Sequence, residues 1–91
     1  METEWPSTIF ARRVRLLRRA RGLTQEAVAE AAGLSRASLS NIEACRQRVS
    51  LDRAEQIAFA IHEPLWRLLC PTEVVTVTVG GVRMTEENAD E

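Results

Sequence analysis

The chain has 91 residues, enough for one small domain. Apolar residues make up 45% and aromatic residues only 4%, so any core has to be built from Leu, Ile, Val and Ala. No apolar run is long enough to span a bilayer and no secretory pattern precedes the first helical segment, which predicts a cytoplasmic protein with no membrane partner. The formal net charge of −1 hides an uneven distribution. Residues 7–70 carry 11 arginines against 5 glutamates and 1 aspartate, a basic surplus of five, while Glu2, Glu4 and the 86–91 tail supply the compensating acid. Every cation is arginine and none is lysine. Compositional bias accounts for that, although arginine also suits bidentate contacts to phosphate and guanine.

Trp5-Pro6-Ser7 supplies an apolar residue, a proline and a cap, and predicts a first helix from Ser7 or Thr8 to Arg21. Phe10, Val14 and Leu17 fall at i, i+4 and i+7 and form its buried stripe. Arg12, Arg15 and Arg19 project to the opposite, solvated side, and Gly22 ends the helix. Arg18 lies close to the apolar stripe, where a cation is expensive unless paired. Glu43, one position after the inward Ile42 of the third helix, is its expected partner; the alternative is that Arg18 snorkels to the surface.

The stretch from Leu23 to Glu43 holds two short helical patterns hinged at one glycine. Thr24 caps the second helix, which ends near Ala32. Gly33 supplies the positive φ of a tight turn, and Ser35 opens a third helix running to about Ala44. Val28, Ala29, Leu39 and Ile42 point inward. The third helix then presents Ala37, Ser40, Asn41 and Ala44 outward, flanked by Arg36. That small polar face suits a helix entering a groove, as in the helix-turn-helix that docks in the DNA major groove, and would equally suit any exposed helix. Residues 45–49 form a loop. Ser50 caps a fourth helix with Leu51, Ala54, Ile57, Ala58 and Ile61 on its buried face. Pro64 starts a fifth helix, whose Leu65, Trp66, Leu68 and Leu69 complete the core, and Pro71 closes the helical unit.

From Val74 the period becomes two. Val74-Val75-Thr76-Val77-Thr78-Val79, Gly80-Gly81 and Val82-Arg83-Met84-Thr85 read as a hairpin. Its register pairs Val79 with Val82 and Val77 with Met84 on one face, and Thr78 with Arg83 and Thr76 with Thr85 on the other. The apolar face of Val75, Val77, Val79, Val82 and Met84 is too large to leave wet on so small a domain and predicts a dimerisation element. The tail at 86–91 reads as acidic and disordered. The expected domains are thus residues 7–70, a β segment at 72–85 and the tail.

Cys45 and Cys70 are isolated, and with one histidine, His62, no metal cluster is expected. Both cysteines read as small apolar side chains, with a redox role for Cys45 as the alternative. No nucleophile–base pair and no phosphate-cradling glycine loop are present, so neither an enzyme nor a cofactor is expected.

Five short helices with Leu23-Thr24-Gln25-Glu26, Val28-Ala29, Ala32-Gly33-Leu34-Ser35, Leu39-Ser40 and Ile42-Glu43 resemble the lambda-repressor-like, or Cro-type (XRE family), helix-turn-helix domain. Ser50-Leu51, Ile57-Ala58, Ala60-Ile61, Pro64-Leu65-Trp66 and Leu68-Leu69 extend the likeness over residues 7–70. The resemblance implies a mainly α fold, a five-helix DNA-binding domain to which a short C-terminal β-strand or hairpin is added. It places Ser35, Arg36, Ala37, Ser40 and Asn41 at base-reading positions and Gln25, Arg46 and Arg48 at phosphate-binding ones. It also matches Arg18 and Glu43 to a structural ion pair. Two residues depart from the family: Cys45 and His62 stand where glycine is usual. The implied function is a sequence-specific transcriptional regulator, a repressor acting on double-stranded DNA as a homodimer. The alternative is an antitoxin whose C-terminal segment engages a protein toxin.

Overall fold

The structure, a computed structural model, describes residues 6–69 and 76–85. Trp5, Cys70, Pro71, Val75 and the 86–91 tail lie outside the described residues, as do the side chains of Val77, Val79 and Met84. The elements in chain order are α1 (Pro6–Ala20), α2 (Gln25–Ala32), α3 (Arg36–Glu43), α4 (Leu51–Ala60), α5 (Leu65–Leu69), β1 (Thr76–Val79) and β2 (Val82–Thr85). Among the described residues no helix is long and apolar enough to cross a membrane.

Serine and threonine start three of the helices as side-chain caps. Thr24 Oγ1 accepts the Ala27 N–H at 3.0 Å, Ser35 Oγ the Ser38 N–H at 3.0 Å, and Ser50 Oγ the Arg53 N–H at 3.1 Å. α1 instead begins at Pro6, one residue ahead of the expected start, because proline has no N–H to satisfy at a helix's first position.

Helix ends are closed by one repeated device. After α1, Gly22 N–H reaches Arg19 O and Leu23 N–H reaches Arg18 O. The same paired bonds follow α2 at Gly33 and Leu34, α3 at Cys45 and Arg46, and α4 at His62 and Glu63. This is the Schellman closure, and it needs a left-handed residue at its centre. Gly22 and Gly33 meet that need at φ of 68° and 74°. Cys45 and His62 are held at φ of 61°, where a Cβ crowds the backbone.

α1 is the central helix. Its contacts reach α3, α5 and β1. Phe10, Val14 and Leu17 are buried in the core with Val28, Leu39, Ile57, Ile61 and Leu68. A second stripe at Ile9, Arg13 and Leu16 is buried as well, because α1 is covered on more than one side. Arg13 is 1% exposed, and its Nη1 donates to the Arg67 carbonyl at 2.7 Å, which ties α1 to α5. Arg12, Arg15 and Arg19 are half-buried, not solvated as their spacing suggested. Two expected core residues are corrected. Leu51, in the first turn of α4, lies past the edge of the core and is 72% exposed. Trp66 is 63% exposed because Leu68 holds the inward position of the short α5, with Leu65 and Leu69 packed at its margin.

β1 and β2 pair antiparallel as a two-stranded sheet in the register Thr76–Thr85, Val77–Met84, Thr78–Arg83 and Val79–Val82. Gly80 and Gly81 both have positive φ, as a two-residue I′ hairpin turn requires.

Glu63 fastens the α4–α5 corner to α1. Arg21 Nη2 donates to its Oε2 at 2.6 Å and Arg67 Nη1 to its Oε1 at 2.9 Å, with the carboxylate side chain 3% exposed. Burial by itself raises the carboxyl pKa. The hydrogen bonds and charges of Arg21 and Arg67 outweigh it, so the pKa lies below its ordinary value. A carboxyl whose folded pKa is depressed adds stability above its unfolded pKa and loses it as pH falls through the folded one. Glu63→Gln is therefore expected to destabilise at pH 7 by about 1–3 kcal/mol. The gap between variant and wild type should narrow below about pH 4.5. Urea melts across the acid range measure this; a gap that stays constant contradicts it.

Replacing Cys45 or His62 with glycine is expected to stabilise by about 1 kcal/mol each, since the left-handed strain disappears. Thermal melts should shift up by roughly 4–8 °C per substitution. A fall in either melting temperature would show that the side chain contributes more than its backbone strain costs.

Candidate nucleic-acid interface

α2 and α3 meet across the Gly33 turn, and α3 also packs on α1. Leu39, Ile42 and Glu43 face inward and are buried. Arg36 and Ala37 are exposed, with Ser40 and Asn41 half-buried beside them. Ser35 is exposed and its oxygen already serves as the cap of α3, which leaves its O–H as a donor. Of the five expected base-reading residues, Arg36 is the one with long reach. Its Nε stands 3.8 Å from Glu26 Oε1, and both side chains are mostly exposed. An exposed pair at that distance contributes little, so the guanidinium is free to exchange partners.

The loop after α3 carries Arg46, Gln47 and Arg48, all exposed. Arg46 N–H closes α3 on the Asn41 carbonyl at 2.8 Å, which fixes the loop's departure from the helix. The two arginines share a cleft with Pro6, Ser7 and Thr8 at the start of α1. Residue spacing alone does not disclose that neighbour. Cys45 is exposed at the loop's first position and is a free thiol.

Behind this surface lies a polar cluster. Arg18 Nε donates to Glu43 Oε2 at 2.8 Å and its Nη2 to Glu43 Oε1 at 3.1 Å. The third nitrogen, Nη1, donates to the Leu23 carbonyl at 2.9 Å, in the turn that leads into α2. The Glu43 side chain is 2% exposed and that of Arg18 12%. Gln25 is half-buried, and its Nε2 donates to Glu43 Oε1 at 3.1 Å. The expected phosphate ligand thus has a partner inside the protein, which reading Gln25 alone did not disclose. A bidentate arginine leaves lone pairs on a carboxylate, and that surplus acceptor is the signal that could have found it.

Among the described residues no group of three or more His, Cys, Asp or Glu could hold a metal ion. Arg36, Arg46 and Arg48 give the face its positive charge, and the amino ends of α2 and α3 add the partial charge of their free N–H groups.

A family model described as a helix-turn-helix domain matches residues 9–62. Among solved structures, the fold is similar to the restriction-modification controller protein C.AhdI from Aeromonas hydrophila. That match has 34% identity and a TM-score of 0.65, and it covers 68% of this chain and 94% of that one. It is also similar to the hypothetical transcription factor NHTF from Neisseria. There the identity is 29% and the TM-score 0.69, over 79% of this chain and 86% of that one. No curated protein matches.

Removing one member of the Arg18–Glu43 pair is expected to cost roughly 3–5 kcal/mol, because the other charge is left in the interior. A double-mutant cycle on unfolding free energy should return a coupling of about 1 kcal/mol or more. Coupling near zero would mean that the two groups do not depend on each other.

Proposed function

Because the chain belongs to the helix-turn-helix domain family in its lambda-repressor-like form, we propose that it is a sequence-specific repressor that binds a near-palindromic DNA site as a homodimer. DNA-binding regulation follows from the family, and α3 is the element that enters the major groove. The observation that carries this reading is the division of α3. Leu39, Ile42 and Glu43 hold it to the core, while Arg36, Ala37, Ser40 and Asn41 form a small-residue face with one loosely held arginine. Arg36 is suited to the O6 and N7 atoms of guanine, Asn41 to adenine, and Ala37 to a thymine methyl. Arg46 and Arg48 clamp the phosphate backbone, and Gln25 meets a phosphate at the amino end of α2.

If about five phosphates are neutralised, log affinity falls against log salt with a slope near −4 to −5. Arg36→Ala should cost about 1–3 kcal/mol and relax specificity at one base position, while Arg48→Ala weakens all sequences alike. Selection from a random DNA pool with wild type and Arg36→Ala is the measurement. An unchanged sequence preference would remove α3 from the groove, and salt-independent binding would remove the phosphate contacts.

The hairpin supports a two-fold assembly. Val82 is 62% exposed, and the sheet has only two strands among the described residues, with β1 running beside α1. Pairing with the hairpin of a second copy would satisfy an open edge and cover the face expected at Val75, Val77, Val79, Val82 and Met84. The competing surface is on α4 and α5, where Phe59 is 81% and Trp66 63% exposed around one hollow. Val82→Lys is expected to convert dimer to monomer in light scattering. Dissociation by Phe59→Ser with Val82→Lys still dimeric would move the two-fold to α4 and α5.

A further inference from the structure

The Glu43 carboxylate is 2% exposed and cannot itself reach DNA. It nevertheless holds a side chain that can. Gln25 and Glu43 are 18 residues apart on different helices, and Gln25 Nε2 donates to Glu43 Oε1 at 3.1 Å. We propose that Glu43 is a positioning residue for DNA-backbone binding: its buried carboxylate, itself fixed by Arg18, orients the Gln25 amide so that the remaining N–H of Nε2 is offered to a phosphate oxygen. This inference rests on the reading of the chain as a DNA-binding regulator.

The chemistry of the donors and acceptors carries it. An amide side chain can turn either its oxygen or its nitrogen toward a neighbour. A carboxylate only accepts, so Glu43 selects the nitrogen. A phosphate oxygen also only accepts, so the same nitrogen, with its second hydrogen, is the atom a phosphate requires. Without Glu43 the amide would rotate, and its oxygen would meet the phosphate as a repelling group. Ordering would then have to occur on binding, at a cost in affinity.

Arg18 extends the device to the backbone. Two of its nitrogens fix both oxygens of Glu43, and the third donates to the Leu23 carbonyl at 2.9 Å. Leu23 precedes the Thr24 cap of α2, so one guanidinium holds the carboxylate and the approach to the helix that carries Gln25. The partial positive charge at the amino end of α2 lies next to the same residue. Side chain and helix end are therefore set together before DNA arrives.

The test is a double-mutant cycle read in DNA affinity instead of stability, with Gln25→Met and Glu43→Gln. Both changes keep side-chain length. Binding is measured by fluorescence anisotropy on a random-sequence duplex of about 30 bp, since a phosphate contact acts on any sequence. Gln25→Met is expected to weaken binding about tenfold in the wild-type background. In the Glu43→Gln background the same change should cost less than about twofold, because the amide is no longer set. Equal losses in both backgrounds overturn the proposal. Should Glu43→Gln fail to fold, NMR of the unmodified protein decides. The expected signature is a slowly rotating Gln25 side-chain amide with a scalar coupling across the hydrogen bond from Nε2 to the Glu43 carboxyl carbon. A freely rotating amide overturns it. A wild-type protein with that signature but no affinity for the duplex would instead overturn the DNA-binding reading, and the proposal with it.

Discussion

Short helices leave many backbone groups unsatisfied, and closing those ends is the constraint on which this structure depends. Among the described residues the longest helix has 15 residues and the shortest 5, so end groups form a large share of the backbone. None of these segments would hold its shape alone in water. Four of the five are closed by a left-handed residue and its two hydrogen bonds, and that turn also aims the next helix. The turn at Gly33 is the one that sets α3 across α2. It is further held by Arg53 Nη1, which donates to the Gly33 carbonyl at 3.4 Å and to Gln56 Oε1 at 3.1 Å.

Arginine does much of the remaining closing. Arg13 donates to the Arg67 carbonyl, Arg18 to that of Leu23, Arg21 to that of His62, and Arg53 to that of Gly33. Arg18 and Arg21 bind a buried carboxylate at the same time, Glu43 in one case and Glu63 in the other. A planar guanidinium with five donors can hold a carboxylate and a carbonyl together, whereas an ammonium acts as a point charge. The absence of lysine from this chain thus has a structural counterpart beyond compositional bias. It also divides the basic surplus in two. Part of it is neutralised or occupied within the fold, and Arg36, Arg46 and Arg48 remain on the surface around α3.

The two buried carboxylates lie at the joints that matter for function and for stability. Glu43 joins α1, α2 and α3 through Arg18 and Gln25. Glu63 joins the ends of α1 and α4 to α5 through Arg21 and Arg67. Each carboxylate would be costly in the interior if it stood alone, and each is satisfied by donors from a different segment. Directional bonds at these two joints add to the apolar packing in fixing how the helices meet.

The local sequence determined the elements. Thr24, Ser35 and Ser50 cap their helices, Gly33 makes the turn, and the alternation from Thr76 to Thr85 with Gly80-Gly81 sets the hairpin register. These follow from interactions within a few residues of chain, which spacing and residue type express directly. Tertiary structure decided what those signals do not encode. Arg13 is buried because α1 is covered on a second side; it lies between the Ile9–Leu16 and Phe10–Leu17 rows, where Arg12 and Arg15 do not, although its charge favours the exterior. Leu51 and Trp66 are exposed because the core ends before it reaches them, although their residue types favour the interior. Gln25 is bound to Glu43 because two helices bring a spare lone pair to its amide. Periodicity reports which side of a helix is apolar, but not how many neighbours cover that helix or which distant acceptor still has an unused lone pair. Those depend on where the other segments come to rest.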